Sequence, residues 1–335
     1  MKFELCTNDL SFEKLKTEWN DLLHQSASDN VFLSWEWQST WWQHFGNDRL
    51  CLITFRDENG KLVGLAPLYW ENVSDGTRSL SQIGCEVSDY LDIIAAQGRE
   101  VDVYAALLDA LQSRELAEWS VVNLCNLPAA SPTNTLLKTM AEDRGYKTDW
   151  RKQVVSPVLE LPATWDEYLE TLDKKQRHEL RRKIRRIEPA ITRWYSIDSV
   201  DALDLAIADF IELHKKSRPD KIEFMNAAMQ KFFRDIAGRL LETKCLQLSF
   251  LEIDGVRAAA IMNFIYKDQV LVYNSGYDPE KFGQFSPGVI LFVRTIQDAI
   301  EAKRRVLDFL RGDEEYKYRF GAKDTLLYEM HIRRN

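Results

Sequence analysis

Apolar residues recur along the chain with two alternating periods. A period of two marks strands at Lys2–Leu5, Leu50–Arg56, Leu62–Glu71, Arg78–Ile83 and Ser120–Leu124. A helical period marks Phe12–His24, the segment from Ser34 to Trp42, Val101–Leu111 and Thr133–Arg144. Ser34 is placed to cap its helix and Gly145 to end the last one, while Asp57-Glu58-Asn59-Gly60 between two alternating runs predicts a hairpin. From Trp165 the order returns. Helices are expected at Trp165–Ile187, Val200–Ser217 and Asn226–Leu241, then a hairpin of Gln247–Ile253 and Ala258–Tyr266 about Asp254-Gly255. The strand Gln269–Tyr277, the helix Gly288–Ala302, the strand Val306–Leu310, a short helix near Glu314–Phe320 and the strand Leu326–Ile332 complete it. Helix-helix-hairpin-strand-helix-strand in both halves predicts a duplicated α/β unit, divided into residues 1–150 and 151–335.

Composition narrows the function. The chain of 335 residues is 45% apolar and 29% charged, enough to bury two cores. Its net charge of -8 gives no global field toward nucleic acid or anionic membranes, so any basic patch is local. The five cysteines are scattered without Cys-x-x-Cys spacing, which argues against structural zinc or a disulfide framework and for a cytoplasmic protein. No apolar run has the length of a membrane-spanning helix, so membrane insertion is not expected. The five histidines pair with no serine or cysteine nucleophile, and neither Gly-x-Gly-x-x-Gly nor a Walker loop occurs.

The chemistry concentrates in the second half. Ser286-Pro287-Gly288 opens an apolar helix after a strand, a layout that seats anions on free N–H groups and the positive end of the helix dipole. Capping by Ser286 and Pro287 explains the same residues without a ligand. Tyr273-Asn274-Ser275-Gly276-Tyr277 interrupts an apolar strand with polar groups, as a splayed strand end or a polar turn would. Asp308, Arg311, Asp313, Glu314, Tyr316 and Lys317 crowd one strand end, where a cation can neutralise an oxyanion and a carboxylate can take a proton. Lys174–Arg186 is a basic helix with an apolar stripe of Leu169, Leu172, Leu180, Ile184 and Ile187. Its cations form either a solvated face or a surface for phosphates, with Arg177 and Arg181 the candidates for contact. Trp35, Trp37, Trp41 and Trp42 suit a stacking platform, but at helical spacing core packing outweighs it. Asp89, Tyr90 and Asp92 follow a Gly84 turn and suit either a cleft or a loop cap.

Taken together, Phe32–Trp37, Ser88–Asp92, Lys174–Arg177, Tyr273–Asp278, Ser286–Gly288 and Asp308–Lys317 resemble the CelD/BcsL-type acetyltransferases of the GNAT superfamily, relatives of the FemAB peptidyltransferases. The resemblance is densest from about Gln153 to Gly321. It implies two tandem GNAT-like domains, each a mixed, mostly antiparallel sheet flanked by helices, with the working site in the second. It implies transfer of an acyl group from acyl-CoA, acetyl-CoA first, to an amine or hydroxyl of a small molecule or saccharide precursor in polysaccharide or envelope synthesis. No metal is implied. Asn274 and Ser275 would align the pantetheine, Gln284, Phe285, Ser286 and Gly288 would take the pyrophosphate, and Lys317 with Arg311 would stabilise negative charge. Asp313 or Glu314 would act as base, with Asp308 and Tyr316 beside them. Trp37, Asp89, Tyr90 and Tyr273 would face the acceptor. One departure is plain: Gln284-Phe285-Ser286-Pro287-Gly288 fits the usual Arg/Gln-x-x-Gly-x-Gly/Ala loop only in part, and Pro287 removes a donor. FemAB relatives use aminoacyl-tRNA, and the basic helix suits that donor. A degenerate pair serving as an assembly or sensing subunit is the non-enzymatic alternative.

Overall fold

The computed structural model describes residues 1–47, 49–72 and 78–334. The chain divides into two compact units: residues 1–155 joined by the chain from Thr325 onward, and Ser156–Asp324.

The first unit holds β1 (Lys2–Cys6), α1 (Leu10–His24), α2 (Trp35–Phe45), β2 (Leu50–Arg56), β3 (Leu62–Asn72), β4 (Arg78–Gln82), the short β5 (Ile94–Ala95), α3 (Glu100–Leu111), β6 (Val121–Pro128) and α4 (Leu136–Asp143). The first part of β7 (Lys147–Glu160) also belongs to it. Its strand order is β1-β2-β3-β4-β6, then the C-terminal strand Lys323–Arg333, then β7. Trp150 of β7 stacks on Tyr328 of that C-terminal strand, with ring centroids 4.4 Å apart. The pairing is antiparallel except for β4 and β6, which run parallel through Ser79–Ser81 and Val121–Asn123. Val103, Tyr104 and Leu107 of α3 close over Ile53, Phe55, Leu80 and Val122. The tryptophans are core residues with polar tethers: Trp35 donates to the Phe12 carbonyl at 2.7 Å, Trp37 to Ser88 at 2.8 Å and Trp42 to Asp9 at 2.7 Å.

The second unit continues with α5 (Trp165–Thr171), α6 (Lys174–Ile187), β8 (Thr192–Ile197), α7 (Val200–Ser217), α8 (Asp220–Phe224), α9 (Ala227–Glu242), β9 (Leu246–Ile253), β10 (Val256–Tyr266) and β11 (Gln269–Tyr277). Then come α10 (Pro279–Phe282), α11 (Pro287–Glu301), β12 (Val306–Asp308) and α12 (Glu315–Arg319), before the chain returns to the first unit as β13 (Lys323–Arg333). The order is β8-β9-β10-β11-β12-β7, again antiparallel but for one parallel pair, β11 with β12. Each unit is thus a mixed sheet flanked by helices. α5, α6 and α11 cover one set of core positions, where Leu169, Leu172, Leu180 and Ile187 meet Ile290, Leu291 and Val293. The apolar stripe read from the sequence is this contact.

Three expectations change. The helix expected over Trp165–Ile187 breaks at Leu172, because the Asp173 carboxylate accepts the Gln176 N–H at 2.7 Å and starts a new helix. The strand expected to Leu310 stops at Asp308, since Leu310 is left-handed (φ 58°). Cys85 and Cys125, 40 residues apart, form a disulfide. Spacing in the sequence gave no hint of that pair, because the two sulfurs meet only after β4 and β6 run side by side. Among the described residues no helix is long and apolar enough to cross a membrane.

Candidate functional site

The site begins where the parallel pair ends. β11 and β12 share only three residue pairs, Gln269–Leu271 with Val306–Asp308, after which β11 runs on to Tyr277 against β10 alone. Across β10 the register jumps: Met262 faces Asn274 and Asn263 faces Val272, leaving Tyr273 as the extra residue of a bulge. A bulge bends and twists its strand, here turning Asn274–Tyr277 away from the line of β12. The Tyr273 ring packs on Phe264 (4.9 Å) and Phe233 (5.6 Å), so it is a wedge for the bulge rather than a surface for an acceptor.

β12 is stopped by its own side chains. The buried Asp308 carboxylate accepts the Leu310 N–H at 2.8 Å and the Ser156 hydroxyl at 3.2 Å. The following loop turns through left-handed Leu310 and Gly312. Lys317 is buried, and its ammonium donates to the carbonyls of Leu310 (3.0 Å), Arg311 (2.7 Å) and Gly312 (3.1 Å), with Glu314 2.9 Å away. The expected oxyanion-stabilising lysine is therefore engaged as a clamp on the loop. Three acceptors take its three protons. Glu314 is tied to that clamp, Asp313 is exposed, and Arg311 is half-buried. Tyr316 packs on Phe292 (5.1 Å) and Phe309 (6.3 Å), and burial pushes its phenol above the usual range, so it stays a neutral donor.

A second wall of the site comes from the corner between α7 and α8. Gly276 lies so close to α7 that a Cβ there would stand 2.2 Å from the His214 backbone nitrogen, which is why this strand position has no side chain. His214 is buried, and its Nε2 pairs with the Asn274 amide oxygen at 3.0 Å while Nδ1 has no partner. Burial, then the Lys221 charge, pushes its pKa down to about 4. Lys221 of α8 donates to the Ser275 carbonyl at 2.5 Å. Residues 218–225 lie between the helices expected at Val200–Ser217 and Asn226–Leu241, and the signal there is the charged, turn-forming run Arg218-Pro219-Asp220-Lys221.

The helix end is less open to anions than its sequence suggested. Ser286 is left-handed (φ 52°) and its side chain makes no cap; instead its carbonyl accepts both Val289 and Ile290 N–H groups, at 2.9 and 3.2 Å. With Pro287 lacking a proton, the Gly288 N–H is what the first turn of α11 has left to offer. Gly288 packs against Tyr277, whose ring carbons would lie 3.2 Å from an added Cβ. A cavity of about 460 Å³ adjoins this turn, lined in part by Lys175, Lys183, Val289, Tyr316 and Arg319. Gln284 is exposed and Phe285 half-buried; the Gln284 carbonyl accepts from Arg186 at 3.4 Å. Arg177 and Arg181 belong to the outer part of α6 and do not line the cavity.

The remaining candidates lie in the first unit. Trp37 is wholly buried and stands edge-on to Phe32 at 4.8 Å, so it is core and not a platform. Asp89 is buried, and half-buried Tyr90 meets Phe32 edge-on at 6.1 Å. Asp92 is a structural hub that accepts from Ser28, Ser131, Thr133 and the Ile93 N–H. Among the described residues no cluster of His, Cys, Asp and Glu is arranged for a metal.

With this geometry in view, known proteins can be compared. Residues 174–318 match the family model of the acetyltransferase (GNAT) domain. The match lies wholly inside the second unit and contains the open edge of β11, the clamp and the α7–α8 corner. In fold, the whole chain resembles FemX, at 12% identity over 98% of this chain and 97% of that one, with a TM-score of 0.66. It also resembles a conserved protein of unknown function from Bacteroides thetaiotaomicron (11% identity, 99% and 100% covered, TM-score 0.62) and L-PGS from Bacillus licheniformis (13%, 96% and 92%, 0.58). No curated protein matches by sequence.

Two consequences are measurable. Lys317→Met leaves three carbonyls without their donor, and should cost about 3 kcal/mol or more in urea unfolding while speeding hydrogen exchange across residues 309–314. A fully stable variant with unchanged exchange would refute the clamp. For His214 the folded value lies below the unfolded one, so the unfolded chain takes up a proton first as pH falls. Stability attributable to His214 is intact above about pH 6.5 and is lost toward about pH 4, by on the order of 3 kcal/mol. His214→Gln should flatten the acid limb of the urea midpoint in that window.

Proposed function

We propose that the second unit transfers an acyl group from acyl-CoA, acetyl-CoA foremost, to an amine or hydroxyl of a small molecule or saccharide precursor, in the cytoplasm and in the service of polysaccharide or envelope synthesis. The observation that carries this reading is the opening between β11 and β12 beside the first turn of α11. A parallel pair that parts after three residue pairs exposes backbone on one strand, and an extended amide-bearing arm can lie along such an edge as an added strand would. The Gly288 N–H supplies the anion-binding end, beside a cavity whose lining cations Lys175, Lys183 and Arg319 are matched by Asp173, Glu179 and Glu315. The acetyltransferase-domain match over the same residues supports the donor class.

The rest of the chemistry follows from the residues present. The Asn274 amide, its oxygen held by His214, has its NH2 group set in a fixed direction. Tyr316, kept neutral, is a proton donor near the loop. In calorimetry the protein should bind acetyl-CoA, and Gly288→Val, which presses on the Tyr277 ring, should weaken binding by about tenfold with an unchanged melting temperature. No heat with any CoA thioester would remove acyl-CoA as donor.

A second reading, transfer from aminoacyl-tRNA, is favoured by one observation. Lys174, Lys175, Arg177, Arg181 and Arg185 of α6 carry no ion pair among the described residues, in a chain of net charge -8. If this face holds RNA, filter binding of tRNA should fall with salt along a log–log slope of roughly -4 for five neutralised phosphates. Absent or salt-insensitive retention excludes it.

A further inference from the structure

Lys221 is an amine set against the open strand edge with no ion pair of its own among the described residues. Its Nζ lies 2.5 Å from the Ser275 carbonyl oxygen. The nearby carboxylates are already engaged. Asp220 is held by Arg218 at 3.0 and 2.5 Å, and Glu314 by Lys317 at 2.9 Å. The charged groups around Lys221 are Arg218 and Asp220 on its own corner, Glu314 on the loop after β12, and His214 on α7. Burial first, and then the Arg218 cation, lower its pKa to about 8, so a sizeable fraction is neutral in mildly alkaline solution. The carbonyl it holds belongs to the bent stretch Asn274–Tyr277, where the reacting end of a donor lying along β11 would arrive.

We propose that Lys221, seated at Ser275 on the open edge of β11, is the catalytic base that takes the proton from the attacking amine. This deepens the acyl-transfer reading above and rests on it. The neutral acceptor nitrogen attacks the thioester carbonyl carbon, so the C–N bond forms. The C–S bond then breaks, with its electron pair leaving on sulfur. The proton shed by nitrogen passes to the neutral Lys221 amine and from there to the thiolate, so charge and atoms balance and no further reactant is required. Of the two carboxylates considered from the sequence, Glu314 is already held by the Lys317 ammonium and Asp313 is exposed.

The test follows thiol release from acetyl-CoA against ethanolamine, glucosamine and lysine amide across pH, with Lys221→Arg and Lys221→Met beside the wild type. Circular dichroism melts and calorimetric acetyl-CoA affinity control for fold. In wild type, kcat/KM expressed per neutral acceptor amine should rise with pH about a midpoint of about 8. Lys221→Arg retains the hydrogen bond and charge but does not release a proton. It should lose about 100-fold in rate together with the alkaline rise, at unchanged acetyl-CoA affinity. Lys221→Met should regain rate on adding trimethylamine, a tertiary amine that can take the proton but cannot itself be acylated to an amide. In lysine-13Cε spectra, the resonance missing from both variants should titrate about two pH units below the bulk lysines. A Lys221→Arg enzyme with full rate and an unaltered pH profile overturns the proposal and leaves acyl transfer standing, as does a Lys221 resonance that titrates with the bulk. No thiol release by wild type with any amine at any pH overturns the proposal, and no calorimetric binding of any CoA thioester overturns the acyl-CoA reading itself.

Discussion

The second unit depends on a buried ammonium. Lys317 gathers the carbonyls of Leu310, Arg311 and Gly312 and, with the Asp308 carboxylate on the Leu310 N–H, holds a loop with a left-handed leucine and a left-handed glycine. That loop is what ends β12 at Asp308. Had β12 continued beside β11, its backbone would have satisfied the edge of Asn274–Tyr277, and the sheet would have been closed. The opening that defines the site thus depends on the Lys317 clamp together with Asp308 and the bulge at Tyr273. Burying an ammonium is costly, and here the cost is met by neutral carbonyls aimed at it and one carboxylate at the rim.

The opposite wall obeys a steric constraint. α7 approaches β11 at Gly276 more closely than any residue with a Cβ would permit. That approach brings His214 to Asn274, and the α8 turn that follows brings Lys221 to Ser275. Two consecutive residues of the open strand are therefore gripped from the same corner, one through its side chain and one through its backbone. A strand edge held in this way is preorganised, and a ligand laid along it need not order it first.

The two units repeat one arrangement by different means. Each has a run of antiparallel strand pairings, a parallel pair, and a further strand antiparallel to the second member of that pair. In the first unit that closing strand is β13, from the far end of the chain; in the second it is the end of β7. The first unit holds instead the Asp92 hydroxyl network and a tryptophan core in which Trp37 is wholly buried. The unit with the clamp, the bulge and the close helix approach is the one that carries the open edge.

The order of elements was legible from the sequence because apolar periodicity and turn residues are local signals. The stripe on α6, the Asp254-Gly255 hairpin with both residues left-handed, and the strand–helix–strand crossover through α11 all announce themselves in patterns of neighbouring residues. The crowding of charge at Asp308–Lys317 also marked the right region. What the sequence alone could not assign was the partner of each charge. Lys317 reads as a free cation until the loop folds back on it. Ser286 reads as a cap until its φ turns positive. Lys221 reads as a connector until α7 is pressed onto Gly276 and carries it to β11. Cys85 and Cys125 read as isolated thiols until two strands lie parallel. Periodicity determines which face is buried, since each residue votes for its own environment. The role of a polar group depends on distant atoms brought within 3 Å, and only the tertiary structure decides those.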